Sequence, residues 1–155
     1  MTDDTSPTTY ELESPADVTP DNPFTLPGFF EAMADGELLA ARCTDCDTRL
    51  VPPRPACYAC GSRALELEAQ PKRGTIVSYT EVRVPPEPFL DRAPFPVAIV
   101  ELDSGARLTG RVDASYDDLE IDLPVSLSIR DPGPIEREVA RDHEAAWPIH
   151  VFELE

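Results

Sequence analysis

Four cysteines in two pairs, Cys43-Thr-Asp-Cys46 and Cys57-Tyr-Ala-Cys60, are all the cysteine in this chain. Two CxxC hooks offer four thiolates, each hook spanning one edge of a tetrahedron. Zinc prefers four soft sulfur ligands in a closed tetrahedron, and a closed site is structural because no position is left for water. Ten residues, Asp47 to Ala56, separate the hooks and can fold back as a short hairpin. The usual separation is somewhat longer, so this is a compact version. Gly61 follows the second hook, where a metal knuckle needs backbone that tolerates positive φ. Asp47 holds the matching place after the first hook, and aspartate enters that region less easily than glycine. Cys43, Cys46, Cys57 and Cys60 are therefore the expected ligands of a structural Zn²⁺. A rubredoxin-like iron and a pair of disulfides are the alternatives. Disulfides suit an exported chain, whereas Met1-Thr-Asp-Asp-Thr has neither the basic start nor the apolar run of a signal peptide.

Little else is equipped for chemistry. With every sulfur committed to metal, no thiol remains as an acyl nucleophile. His143 lies in the polar run Glu136 to Glu144 and is expected to be solvated; His150 lies in a terminal strand, where a hydrogen-bonded barrel histidine is expected before a base. No GxSxG, P-loop or GxGxxG occurs. No catalytic residue is assigned, and any activity is expected to come from a partner. Arg42, Arg49, Arg54 and Arg63 crowd the cysteines, with Asp45 and Asp47 as the acids counted against them. They can balance the −2 charge of four thiolates on Zn²⁺, or grip phosphates through bidentate guanidinium geometry. Lys72-Arg73 admits the same two readings. No ligand-contacting residue is assigned among them.

The elements that must position these groups read as mainly β. Residues 1–23, with four prolines, six acids and no base, are expected to be a disordered acidic tail. A short helix is expected within 24–36, with Phe29, Phe30 and Met33 on one side and Gly36 to stop it. A zinc ribbon is expected over 37–71: a strand over 37–42, a proline-stiffened turn-back over 49–55, and a half-exposed strand Leu65-Glu-Leu-Glu-Ala. From 72 to 155 the chain reads as five short strands, over 74–84, 96–102, 106–112, 125–130 and 148–154, with a hairpin turn at Asp103-Ser-Gly. Residues 85–96 carry five prolines and are expected to be irregular. Such a pattern fits a five-stranded Greek-key barrel of the OB type; an SH3-like barrel or small sandwich has similar periodicity.

Thirty acidic residues face 13 basic ones, giving a net charge of −17, and Lys72 is the single lysine. The acids run from Asp3 to Glu155, and residues 24–155 alone carry 24 acids against 13 bases, or −11. This is the surface expected of a protein in concentrated salt, which screens the self-repulsion. A zinc ribbon with an OB-fold is also a nucleic-acid-binding combination, but such binding uses a basic groove, which this charge opposes. Electron transfer through an iron-loaded site is a further alternative. No stretch is apolar for the roughly 18 residues a membrane span requires, so a cytoplasmic protein is expected.

Taken in order, the Phe29-Phe30 helix, Cys43-Thr-Asp-Cys46, Pro52-Pro-Arg54, Cys57-Tyr-Ala-Cys60-Gly-Ser62, Gly74-Thr-Ile-Val-Ser-Tyr79-Thr, Pro96-Val-Ala-Ile-Val-Glu-Leu and Leu108-Thr-Gly-Arg111-Val resemble the DUF35 family. The resemblance covers most of residues 24–155, and Asp47 departs from the glycine usual after the first hook. It implies a rubredoxin-like zinc ribbon followed by an OB-fold. It also implies a non-catalytic accessory subunit that binds acyl-CoA and scaffolds a thiolase-superfamily enzyme, as in the archaeal pairing of acetoacetyl-CoA thiolase with hydroxymethylglutaryl-CoA synthase. Together with the acidic surface it implies a haloarchaeal protein of mevalonate-linked or other acyl-CoA lipid metabolism.

Overall fold

The structure, a computed structural model, describes residues 21–155. The acidic tail expected over 1–23 lies outside the described residues as far as residue 20. Asn22, at its end, is buried rather than loose: its Oδ1 accepts the Phe24 N–H at 3.1 Å and its carbonyl accepts the Thr25 hydroxyl at 2.6 Å. The chain divides into two compact units at Gln70 and Pro71.

In the first unit, helix α1 (Leu26–Ala34) starts with Pro27 in its first turn, where a missing N–H costs nothing. Phe29 and Met33 are buried, as their spacing predicts, and Phe30 meets Phe29 edge-on at 5.2 Å between ring centroids. Gly28 has to be glycine, since a Cβ there would sit 2.0 Å from the Asn22 carbonyl oxygen. Gly36 ends the helix by donating its N–H to Met33 O at 2.9 Å. Strands β1 (Leu39–Cys43), β2 (Arg49–Leu50) and β3 (Leu65–Ala69) form an antiparallel sheet in the order β2-β1-β3. Register sets Arg42 opposite both Arg49 and Glu66. Residues 49–50, read from sequence as part of a turn, pair with β1 because the turn-back brings their backbone alongside it.

In the second unit, β4 (Arg73–Val82), β5 (Phe95–Leu102), β6 (Arg107–Val112), β7 (Pro124–Arg130) and β8 (Ile149–Leu154) close a barrel in the order β4-β5-β6-β8-β7. The expected OB-type barrel is thus the observed one. A register shift between Ile76 and Ser78 bends the long first strand. Strand alternation places Ala98, Val100 and Leu102 inward, where Val125 and Phe152 are also fully buried. β6 meets β8 in parallel through only two pairs, Arg111 with Val151 and Val112 with Phe152. Two stretches correct the sequence reading. Residues 87–92, expected to be irregular, form a 3-10 helix, and Pro134–Val139, which runs into the stretch from Glu136 read only as polar, forms helix α2. Pro134 starts α2, and Glu136 accepts the Gly133 N–H at 2.8 Å, satisfying a donor that the first turn leaves open.

Candidate metal centre

The two hooks are built alike. Cys43 N–H donates to Thr48 O at 2.9 Å, and Asp47 N–H returns to Cys43 O at 2.8 Å. Cys57 N–H donates to Ser62 O at 2.8 Å, and Gly61 N–H returns to Cys57 O at 2.9 Å. Each knuckle closes only if the residue after its second cysteine turns left-handed, and φ is 63° at Asp47 and 77° at Gly61. The strain expected at Asp47 is therefore accepted by the fold. Hydroxyls repeat as well. Thr48 Oγ1 lies 3.1 Å from Cys46 Sγ, and the Ser62 hydroxyl donates to Asp45 Oδ2 at 2.5 Å, tying the second hook to the first.

All four Sγ atoms lie within 4.8 Å of one another. Cys43 and Cys60 are 3.6 Å apart, and so are Cys46 and Cys57. A tetrahedron with Zn–S bonds of about 2.3 Å has edges of about 3.8 Å, so the sulfurs fit the ion. A disulfide needs about 2.0 Å, and the four thiols are free. Cys43 and Cys57 are buried in an apolar cluster with Phe24, Ala41, Leu50 and Leu65, while Cys46 and Cys60 are exposed. The four cysteines are thus positioned to bind a metal ion, one pair packed into the small core and the other facing outward.

Without an ion the sulfurs share protons unequally. The Thr48 hydroxyl and N–H lower the Cys46 thiol. Burial works against ionising Cys57, but the N–H groups of Cys60 and Ala59 outweigh it and lower that thiol as well. At Cys60 the Ser62 N–H favours the thiolate, yet the sulfurs of Cys43 and Cys46 prevail and hold the thiol up at about 12. A divalent cation takes the place of the protons that the sulfurs share, so binding must release protons.

Two of the four arginines near the hooks, Arg42 and Arg49, are already engaged by carboxylates. Arg42 Nη1 lies 2.6 Å from Asp47 Oδ1, Arg42 also bonds Glu66, and Arg49 Nε lies 2.5 Å from Glu68 Oε1. Glu66 and Glu68 answer these arginines as well as Asp47, because alternation in β3 sets both on the sheet face that carries Arg42 and Arg49. Arg54 and Arg63 are exposed. Arg73 is engaged by Glu155 at 2.7 Å. His143 is exposed, with its ring edge-on to Trp147. His150 stands in β8 with Nε2 2.8 Å from Thr109 O, the hydrogen-bonded barrel histidine its position predicts. Sequence reading overlooked Arg92, Arg111 and Glu136, which meet His150 around a cavity on the barrel. The one available signal was Pro134-Ile-Glu136, a helix start hidden in a charged run.

Two family models match. One described as "ChsH2, rubredoxin-like zinc ribbon domain" covers residues 30–66, and one described as "ChsH2, C-terminal OB-fold domain" covers residues 67–130. A "DUF35 domain-containing scaffold protein" of Methanocaldococcus jannaschii is 36% identical over 96 residues, spanning 60% of this chain and 67% of that protein. A "Probable enoyl-CoA hydratase alpha subunit" of Thermomonospora curvata is 36% identical over 107 residues, which are 68% of this chain. The chain spans only 33% of that protein. A solved structure described as "Ltp2-ChsH2(DUF35) aldolase" superposes with a TM-score of 0.63 at 30% identity, covering 82% of this chain and 91% of the other.

Proposed function

The chain belongs to the DUF35 family, and from that premise we propose that it is an accessory scaffold subunit that docks on a thiolase-superfamily enzyme and helps hold its acyl-CoA. The observation that carries this reading is the solved relative, an "Ltp2-ChsH2(DUF35) aldolase" in which a DUF35 chain is named together with a second protein. The scaffold description of the archaeal relative supports the same role, and the hydratase subunit brings CoA-thioester chemistry into the kinship. The chain's own residues agree with an accessory role. Cys43, Cys46, Cys57 and Cys60 hold Zn²⁺ as a structural ion, and His150 is engaged by backbone. The enzyme partner supplies nucleophile and base, in a pairing of the acetoacetyl-CoA thiolase and hydroxymethylglutaryl-CoA synthase type. The net charge of −17 supports a haloarchaeal, cytoplasmic setting. It opposes nucleic-acid binding, which needs a basic groove, and Arg42, Arg49 and Arg73 are already engaged by carboxylates. Among the described residues no helix is long and apolar enough to cross a membrane.

The test is purification from the native host at high salt, with mass spectrometry of what stays bound, then thermal melting with and without CoA and acetoacetyl-CoA. A thiolase-superfamily enzyme in stable ratio, and a melting temperature of the complex that rises with CoA, are expected. A chain that elutes alone and does not respond to CoA contradicts the reading.

A further inference from the structure

Five arginines of the described residues are half-buried: Arg42, Arg49, Arg92, Arg111 and Arg130. Four of them lie within ion-pair distance of a carboxylate: Arg42 and Arg49 in the ribbon, Arg92 on Glu136 at 2.7 Å, and Arg130 on Asp113 at 3.1 Å and Glu153 at 2.9 Å. Arg111 has no ion pair or hydrogen bond of its side chain among the described residues, in a chain with 30 acidic residues. The nearby carboxylates are already taken. Glu136 gives one oxygen to Arg92 and the other to the Gly133 N–H, and Asp113 is held by Arg130. Burial and then Arg92 push the Arg111 guanidinium below its ordinary value, and the attraction of Glu136 and Asp113 offsets only part of that. Leaving a charge partly out of water and unmatched is costly, and proteins generally pair such a charge or give it a ligand.

The place where Arg111 sits has room for one. It lines a cavity of about 360 Å³ beside the two-pair seam between β6 and β8, flanked by the 87–92 helix and α2. That volume is at the low end of the range for small-molecule sites. Phe89, Phe95, Ile149 and Val151 supply apolar wall, and Arg92, Glu136 and His150 supply the polar groups beside Arg111. The polar groups are already fixed in position. Arg92 is held by Glu136 and stacks over the Phe89 ring at 5.3 Å, and His150 is held by Thr109 O. One guanidinium is left over in a mostly apolar hollow. That is the chemistry of an acid head on a hydrocarbon body.

We propose that this barrel cavity binds a small organic anion, a carboxylate or phosphate monoester whose head pairs with Arg111 and whose apolar body lies against Phe89, Phe95 and Ile149. Arginine matches either head in bidentate fashion. The site is argued from the barrel alone and needs no partner enzyme, so it stands or falls separately from the accessory role.

The zinc-loaded full-length protein is titrated calorimetrically and by methyl NMR with octanoate, octyl phosphate, octanol and octylammonium. Saturable binding of octanoate or octyl phosphate is expected, with shifts at the Ile149 and Val151 methyls and little response to the alcohol or the amine. Whichever anion binds more tightly names the head group. Arg111→Gln weakens binding at least tenfold, Arg111→Lys recovers part of it, and Arg107→Gln, at an exposed arginine outside the cavity, leaves it unchanged. If Arg111→Gln does not fold, the wild-type shifts and the chemical selectivity decide. Equal binding of octanol and the anions, no binding of either anion, or an Arg111→Gln protein that folds and binds as wild type overturns the proposal.

Discussion

In the ribbon, the apolar cluster around the hooks contains Phe24, Ala41, Leu50 and Leu65, and its two other buried members are cysteines. In the barrel, Ile76, Val100, Leu102, Val125 and Phe152 are each at most 2% exposed, and every strand has a neighbour on both sides. The difference lies in what closes each sheet. With Phe29, Met33 and Leu38 the first unit buries six large side chains, and at roughly 1.5–3 kcal/mol each they still offset only part of an ordering cost of about 1–2 kcal/mol per residue. A structural zinc site adds about 10–16 kcal/mol of binding, much of which appears as folding. The barrel closes its own hydrogen-bond ladders and needs no such ion. One unit is therefore metal-organised and the other self-organised.

The largest perturbation is Cys57→Ala, which removes a buried ligand and leaves three sulfurs. Zinc content measured by elemental mass spectrometry is expected to fall to near none, with ribbon amide signals collapsing while barrel signals keep their positions. Phe152→Ala is the converse. It empties a site that is 0% exposed and should destabilise the barrel by about 3–5 kcal/mol in denaturant melts, with zinc still bound. Gly28→Ala sharpens the contrast from the ribbon side. The added Cβ meets the Asn22 carbonyl oxygen at 2.0 Å, so a loss of about 1–3 kcal/mol confined to α1 and the ribbon is expected.

Acid separates the two units at the smallest scale. Protons compete with zinc for four thiolates, one of which belongs to a thiol held at about 12 when no metal is present, so lowering the pH releases zinc. In the barrel, burial pushes the Glu136 carboxyl up, but the Arg92 guanidinium and the Gly133 N–H outweigh it and hold the group below its ordinary 4.5. A depressed carboxylate contributes stability that is full above 4.5 and is lost as pH falls through the lower folded value. Arg92→Met is thus expected to cost about 1 kcal/mol or less at neutral pH, and the gap from wild type should close in strong acid. A gap that widens on acidification would reverse the sign.

Sequence legibility follows the same division of causes. The metal centre was readable because its constraint is local: CxxC spacing and a left-handed residue after each hook are properties of a few consecutive positions. The barrel strands were readable from an apolar run, as in Pro96-Val-Ala-Ile-Val-Glu-Leu, or from alternation, as in Val125-Ser-Leu-Ser-Ile-Arg, where Val125 and Leu127 are buried. What was missed depends on register and on partners far along the chain. Glu66 answers Arg42 only because β3 lies against β1, and Arg92 meets Glu136 across 44 residues. The prolines of 85–96 masked a 3-10 helix for a related reason: Pro88 suits a first turn, and the ion pair to α2 lies far off in sequence. Arg111 looked like one more strand arginine until the carboxylates around it proved to be spoken for.

The most direct measurement is hydrogen exchange of the full chain by mass spectrometry, zinc-loaded and after chelation. The account predicts that chelation strips protection from peptides covering residues 39–69 and leaves peptides covering 73–154 protected as before. Unchanged protection in the ribbon, or equal loss in both units, would contradict it.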